Sequence, residues 1–168
     1  MFLEEAEALT NRNEYLQAFL SDASDTVALQ ALQRDLHTLK GGARMVTASG
    51  IADLAHEMES VYTDFIDRRR PATKKILELL VACHDWLADA VFILSQQVNP
   101  PTPDLLIEAL QQFSKNPDSL KHIPKESLQP QRDAILLAKE KQESTYIQKY
   151  ISEMPPMVAD TTEQEQNA

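Results

Sequence analysis

The sequence predicts an all-α protein: an up-down antiparallel four-helix bundle, followed by a short additional C-terminal helix and a partly disordered tail. Apolar residues recur at intervals of three and four along four long segments, which is the spacing of a helix with one buried face. Only three glycines occur in 168 residues, and the alternating β-branched runs typical of strands are missing. Short connections between the long segments predict that neighbouring helices run antiparallel.

Composition and charge exclude several classes of function. Sixteen basic against twenty-six acidic residues give a formal charge of −10, which opposes binding to nucleic acid. The single cysteine, Cys83, excludes an internal disulfide framework and is typical of a reducing cytoplasm. No apolar run approaches the roughly 20 residues of a membrane span, and the acidic N-terminus lacks the basic region of a signal peptide. We therefore expect a soluble, cytoplasmic protein without membrane insertion.

The first two helices lead up to the most unusual part of the chain. The first is expected over residues 2–21, with a weak point at residues 11–13. The second is expected from a cap near Ser24 or Asp25 to about residue 46. Its apolar stripe continues through the double glycine at 41–42, which argues against a helix end there. The stripe consists of Leu29, Leu32, Leu36, Leu39, Ala43 and Val46.

The next three helices complete the predicted core. The third is expected to end at the basic triplet 68–70, where arginines complement the helix dipole. The fourth follows residues 71–73 and stops before Asn99, and a short helix from Asp104 to about Phe113 can cap one end of the bundle. The predicted buried stripes are Ile51, Leu54, Met58, Val61 and Phe65 in the third helix, Ile76, Leu80, Cys83, Leu87, Ala90 and Leu94 in the fourth, and Leu105, Leu106, Leu110 and Phe113 in the short one.

The chain divides into a bundle domain at 1–115 and a linker or tail at 116–168. Prolines at 117, 124 and 130 are expected to break the chain, and a modest helix is expected at about 132–151. From Met154 onward the sequence is polar, acidic and aperiodic, so we expect disorder. Such a tail is typical of an interdomain linker in a larger protein; a native free terminus is the alternative.

His37 is the most informative residue, because of what shares its helix face. Residues three, four and seven apart lie nearly above one another, so Lys40, Gly41 and Arg44 neighbour the imidazole. Glycine in mid-helix costs about 1 kcal/mol relative to alanine, and Gly41 and Gly42 stand in succession. Clearance for another protein to approach the ring is the plainest reason for them. The pattern indicates a phosphorylatable histidine; a boundary histidine near a close helix crossing is the alternative.

A nucleophilic imidazole needs one nitrogen free, which a carboxylate arranges by accepting a hydrogen bond from the other. The third helix returns level with His37 after a four-residue turn and brings Glu57, His56 and Glu59 there. Glu59 is the preferred partner because it adjoins the buried stripe. It would hold the Nδ1 proton and leave Nε2 to attack a phosphoryl group, while the two flanking cations offset the phosphohistidine charge. An ordinary solvated helix face is the alternative for Glu59 and His56.

Residues 29–66 resemble a histidine phosphotransfer (HPt) domain, specifically the phosphoacceptor domain of the CheA family of chemotaxis histidine kinases. The family pattern, His-x-x-Lys-Gly-Gly-Ala followed on the next helix by His-x-x-Glu, is matched by residues 37–43 and then by His56 and Glu59. The run 36–45 is most similar to the multi-HPt CheA-like kinases of type IV pilus systems, the ChpA/PilL kind that govern twitching motility.

The resemblance implies a carrier in a two-component phosphorelay. His37 would be the catalytic phosphoacceptor, tuned by Lys40, His56 and Glu59. It would take a phosphoryl group from a CheA-type kinase catalytic domain or a receiver, and pass it to the aspartate of a CheY-like receiver. The residues expected to serve partner docking are Gly41, Gly42, Arg44 and Arg34.

No ATP-binding or dimerisation region of a kinase is found in the sequence. We therefore expect this chain to bind no cofactor, with ATP and Mg²⁺ confined to partner kinase and receiver domains. The isolated domain is expected to be a monomer and a fragment of a CheA-like hybrid kinase.

Two other classes of protein are alternatives to a phosphorelay carrier. A di-iron or zinc bundle needs Glu-x-x-His pairs from facing helices, and only Asp53-x-x-His56 approximates one. His84 is interpreted as a boundary residue and His122 as a linker residue. The second rival is an HPt-shaped docking or scaffold module that has lost phosphorylation, against which the intact Lys and Glu around the histidine argue.

Overall fold

The computed structural model describes residues 2–11, 13–120 and 125–155, and within these ranges it contains helices and no strands. The predicted all-α class is confirmed for this part of the chain. No described helix is long and apolar enough to cross a membrane. The helices are α1 (Phe2–Thr10), α2 (Glu14–Ser21), α3 (Thr26–Met45), α4 (Ser49–Ile66), α5 (Lys74–Ser95), α6 (Asp104–Lys115) and α7 (Lys125–Glu153), with a 3₁₀ turn at Pro117–Ser119.

The predicted first helix is in fact two helices. The chain leaves the helical conformation after Thr10, and α2 begins at Glu14, so the single helix expected over residues 2–21 is wrong, whereas its weak point is confirmed. The hydroxyl of Thr10 donates to the carbonyl oxygen of Ala6 at 2.9 Å, which satisfies one acceptor at the end of α1. Phe19 of α2 is fully buried, a core position that the sequence analysis did not name.

Helix α3 has the predicted limits. The carboxylate of Asp25 accepts a hydrogen bond from the amide of Ala28 at 3.0 Å, which is the expected N-cap. The helix continues through both glycines, and Thr47, at φ 58°, turns the chain into α4. The predicted stripe is buried except for Val46, which is 41% exposed because the helix ends one residue before it.

Helices α1, α3, α4 and α5 form a closed ring of contacts, since α1 packs on α3 and α5 and α4 packs on the same two. This is the neighbour pattern of a four-helix bundle around one core. Side-chain pairs that join α3 and α4 show that these two run antiparallel, as described below; the up-down order of all four stays a prediction. The largest fully buried side chains are Tyr62, Phe19, Phe113, Ile51, Leu54, Met58, Ile76, Leu80, Leu87, Ile93 and Leu110.

Helices α5 and α6 follow the predicted stripes with two corrections. Leu94 is only partly buried, and Leu105 is 44% exposed because it lies on the outer face of α6. Cys83 is buried as expected, and burial raises the pKa of its thiol. Helix α6 packs on α4 and α5, and Nη2 of Arg70 donates to the carbonyl oxygen of Ser114 at 2.5 Å near the end of α6.

Helix α7 is longer than the sequence predicts. It begins at Lys125, so the expected break at 129–130 is wrong. Pro130 lies close to the start of the helix, and the fixed φ of proline is compatible with the helical conformation. The helix contacts α5. Several large apolar side chains at its C-terminal end, and Met154 just after it, are exposed: Tyr146, Ile147, Tyr150 and Ile151. The predictions for His122 and for the tail at 156–168 lie outside the described residues.

Candidate functional site

The candidate site lies where α3 and α4 face each other. Nδ1 of His37, on α3, lies 2.8 Å from Oε1 of Glu59, on α4. The two side chains differ in exposure: 69% of the His37 side chain is accessible to solvent, against 17% for Glu59. The carboxylate is therefore held at the helix interface, and the imidazole extends from it towards solvent.

Lys40 binds the other carboxylate oxygen of Glu59. Its Nζ donates to Oε2 of Glu59 at 2.5 Å, and only 13% of the lysine side chain is exposed. Burial by itself raises the pKa of Glu59, but the hydrogen bonds from Lys40 and His37 and their positive charges outweigh it, so the pKa lies below its ordinary value. Glu59 is an ionised carboxylate at neutral pH.

The ionised carboxylate determines which imidazole nitrogen carries the proton. A carboxylate can only accept hydrogen bonds, so Nδ1 of His37 is the donor in this pair. In the neutral ring the other nitrogen, Nε2, then has a free lone pair. The arrangement presents a nucleophilic nitrogen on an exposed ring whose orientation is set from the opposite side.

A second polar link joins the same two helices, and the sequence analysis missed it. Nε2 of Gln33 donates to Oγ1 of Thr63 at 2.6 Å, and that hydroxyl donates to the backbone carbonyl oxygen of Glu59 at 2.9 Å. Gln33 precedes His37 by four residues and Thr63 follows Glu59 by four. These equal spacings could have predicted the link from the sequence. Residues four apart share a helix face, so on two antiparallel helices both pairs face each other.

The two glycines have different surroundings. A Cβ at Gly41 would meet nothing within 4 Å apart from its chain neighbours and the backbone of its own helix, so the surface beside His37 is open there. A Cβ at Gly42 would overlap the ring of Phe2, and hence this glycine lets α1 approach α3 closely. The structure thus gives Gly42 a packing role, while Gly41 alone provides open space.

The remaining expected site residues are exposed around this pair. Arg34 and Arg44 lie on the same face of α3 as His37. His56 lies on α4 one turn before Glu59, and within the described part of the chain its imidazole makes no hydrogen bond to the other site residues. Glu57 instead accepts a hydrogen bond from Gln111 of α6 at 3.2 Å.

The other described histidine, His84, is half-buried at the boundary of the core, as predicted. Its Nε2 lies 2.8 Å from the hydroxyl oxygen of Tyr62, and burial lowers its pKa to about 4, so the ring is neutral at physiological pH. Among the described residues no three His, Cys, Asp or Glu side chains are grouped closely enough to hold a metal ion.

Comparison with known families agrees with the geometry. A search of curated proteins and one of solved structures returned no match. The family model of the Hpt domain matches residues 1–92, which include α1 to α4, most of α5 and every residue of the site. The chain therefore belongs to the Hpt domain family, whose members carry out histidine phosphotransfer in two-component signalling.

Proposed function

We propose that His37 is the phosphoacceptor of this Hpt domain, receiving a phosphoryl group from a histidine kinase or a receiver and passing it to a receiver aspartate. One observation carries the proposal: the His37 side chain is 69% exposed while its Nδ1 is held 2.8 Å from Glu59. A ring fixed through one nitrogen and open at the other is what nucleophilic attack requires. The half-buried His84 lacks this exposure, and its Nε2 lies against the Tyr62 hydroxyl.

The reaction is a displacement at phosphorus. The Nε2 lone pair of His37 forms the new N–P bond, and the bond from phosphorus to the donor oxygen breaks. The electron pair leaves on the carboxylate of an aspartyl phosphate, or on the diphosphate of the nucleotide when a kinase is the donor. Because Nδ1 keeps its proton, the phosphorylated ring is positively charged, and the Glu59 carboxylate lies against that charge. Attack by a receiver carboxylate reverses the displacement.

Lys40, Glu59 and His56 tune this chemistry in the proposal. Lys40 acts through Glu59, since its ammonium donates to Oε2 and restrains the carboxylate that orients His37. His56, exposed one turn before Glu59, adds a second imidazole on the same helix as Glu59.

The exposed face of α3 serves partner docking. Arg34 and Arg44 supply positive charge on the His37 face, which suits the dianionic phosphoryl group and the acidic phosphorylation pocket of a receiver. Gly41 leaves the open surface that a partner needs to reach Nε2. Gly42 contributes by letting Phe2 pack behind this face, and so supports the docking surface from within.

We further propose that the donor is a CheA-type kinase catalytic domain and that the acceptors are CheY-like receivers. ATP and Mg²⁺ then belong to those partners, and the reaction takes place in the cytoplasm. The support is the resemblance of the run 36–45 to the CheA-like kinases of type IV pilus systems, in which this chain would form one segment of a larger kinase controlling twitching motility.

Transfer of radiolabelled phosphate tests the proposal. The full chain is incubated with a phosphorylated CheA-type kinase or receiver, and the label is tested in acid and in base. We expect acid-labile, base-stable label that is absent in His37→Gln. The His37→Gln chain should keep its helical circular dichroism, because the residue is exposed.

A matched control removes a histidine elsewhere. His122 lies outside α3 in the sequence, so the His122→Gln chain should be labelled like the wild type. Full labelling of His37→Gln would overturn the site assignment. Absence of label from several donors, in a folded chain, would instead favour a docking module that uses the same surface without phosphorylation.

A further inference from the structure

We infer that Thr63, bridged to Gln33, is a positioning residue that holds Glu59 in line with the Nδ1 atom of His37. The inference rests on the proposed function, because positioning has a catalytic consequence only if His37 is the phosphoacceptor. The effect of Thr63 on the tautomer of His37 is a property of the unphosphorylated protein, and it is measured in that state.

Helices α3 and α4 are joined by two hydrogen bonds at successive levels, that is, one helical turn apart along the interface. One level is the bond from His37 to Glu59 at 2.8 Å, and the other is the bond from Gln33 to Thr63 at 2.6 Å. Because Gln33 and Thr63 each lie four residues from the site residue on their own helix, the second level is one helical turn away on the same side. The separation and register of α3 and α4 are thus set immediately beside the site.

Thr63 is also bonded directly to the residue that it positions. Its hydroxyl donates to the backbone carbonyl oxygen of Glu59 at 2.9 Å while accepting from Gln33 at 2.6 Å. A hydroxyl that donates and accepts at once is polarised by both partners, which strengthens each bond. The chain of bonds from Gln33 through Thr63 therefore ends on the backbone of Glu59.

The position of Glu59 matters because a hydrogen bond weakens steeply when its angle departs from linearity. The His37 ring is mostly in solvent, so water competes for Nδ1 whenever the carboxylate moves away. If the helices lose the second link, the bond to Nδ1 loosens and the proton is shared between the two ring nitrogens. A ring protonated on Nε2 has no lone pair there for attack.

The experiment compares three variants of the full chain. Thr63→Val keeps the shape and removes the hydroxyl, Thr63→Ser restores the hydroxyl, and Ser60→Ala is the matched control. Ser60 also lies on α4 and donates to a carbonyl oxygen four residues earlier, that of His56 at 3.1 Å, but it makes no link to α3. The measurement is the ratio of the two neutral tautomers of His37 from ¹⁵N shifts of the imidazole nitrogens.

We expect Thr63→Val to lower the ratio of Nδ1–H to Nε2–H tautomer by roughly fivefold, the factor equivalent to one ordinary hydrogen bond. Thr63→Ser and Ser60→Ala should stay within about twofold of the wild type by the same measure. Gln33→Met should behave like Thr63→Val, and the double variant should be no worse than either single one, because both remove the same bond. A purely structural role for Thr63 would change the unfolding free energy and leave the tautomer ratio unchanged.

The inference is overturned if folded Thr63→Val retains the wild-type ratio, if Thr63→Ser fails to restore it, or if Ser60→Ala lowers it equally. The proposed function fails by a different result, the full labelling of His37→Gln, so the two failures are distinguishable. With both correct, Thr63→Val also slows phosphoryl transfer in proportion to the fall in the fraction of His37 protonated on Nδ1, whereas Ser60→Ala does not.

Discussion

His37 and Glu59 are joined across the α3–α4 interface by a single hydrogen bond of 2.8 Å, which ties an exposed imidazole to a mostly buried carboxylate. The carboxylate cannot follow the ring freely, because Lys40 holds its other oxygen. The orientation of the ring is therefore imposed by the interface between the helices, while most of the ring stays in solvent. Nδ1 is thus fixed by the hydrogen bond to Glu59, and Nε2 is not part of that bond.

Replacing Glu59 by glutamine should slow transfer without unfolding the protein. The amide has nearly the same size, but it can donate as well as accept, so it no longer requires the proton on Nδ1 of His37. It also fails to balance the positive charge of the phosphorylated ring. We expect the transfer rate to fall by roughly 10- to 100-fold, the range found when the orienting partner of a metal-bound histidine is removed.

Glu57→Gln is the control for this change. It removes the same charge two residues away, from a carboxylate that bonds to Gln111. The rate is measured as transfer of label from a phosphorylated receiver under single-turnover conditions, and Glu57→Gln should match the wild type. Equal losses in both variants would indicate a general effect of charge on docking and would contradict the orienting role.

Alanine at the two glycines should have different effects on stability. At Gly41 the new methyl group enters open space, so the protein should gain about 0.5–1 kcal/mol from the better helix propensity of alanine. At Gly42 the methyl group would overlap the ring of Phe2, and that ring must shift to accommodate it. Gly42→Ala should therefore be less stable than Gly41→Ala by about 1 kcal/mol or more. Urea unfolding of both variants gives the comparison, and equal stabilities would show that Phe2 does not restrict the position.

The size of the residue at Gly41 should control docking separately from stability. Gly41→Trp is expected to remain folded, since no side chain or neighbouring helix lies within 4 Å of the Cβ position, yet to block the approach of a receiver to His37. Calorimetric binding to a receiver that accepts phosphate from the wild type provides the measurement. Undiminished binding would place the receiver on another face.

His84 should make stability depend on pH in the mildly acidic range. Burial lowers the pKa of His84 from an ordinary 6.5 to about 4, beside Tyr62 and with Asp35 lining the same small cavity. As pH falls below 6.5 the unfolded chain takes up a proton that the folded chain takes up only near pH 4, so this contribution to stability declines across that window and is lost below it. We expect a decline of about 1–3 kcal/mol in the unfolding free energy.

Unfolding by urea at several pH values, with His84→Gln as the comparison, isolates this group. Glutamine can still pair with the Tyr62 hydroxyl and does not titrate, so the difference between wild type and variant should be largest near pH 7 and should shrink towards pH 4. A difference that stays constant over this range would mean that His84 titrates alike in both states.

The parts of the fold that local patterns encode agree with the structure. Asp25 caps α3 as predicted, because a carboxylate that satisfies a helix N-terminus depends only on residues next to it. The apolar stripe through the double glycine predicted a continuous α3, and the helix is continuous. The expected single first helix failed at residues 11–13, since tertiary packing decides whether a weak point becomes a break: α1 packs on both α3 and α5, whereas α2 packs on α3.

By itself, the sequence determined the all-α class, the identity of the reactive histidine as a hypothesis, and the Lys and Glu around it, because helical periodicity places residues on faces whatever the rest of the chain does. The sequence also favoured Glu59 over Glu57 as the partner of His37. Only the tertiary structure decided the contact between them, the link from Gln33 to Thr63, and the packing of Phe2 against Gly42. Those pairings depend on the register and separation of helices that are distant in sequence. Register comes from the packing of the whole core, and no local pattern contains it.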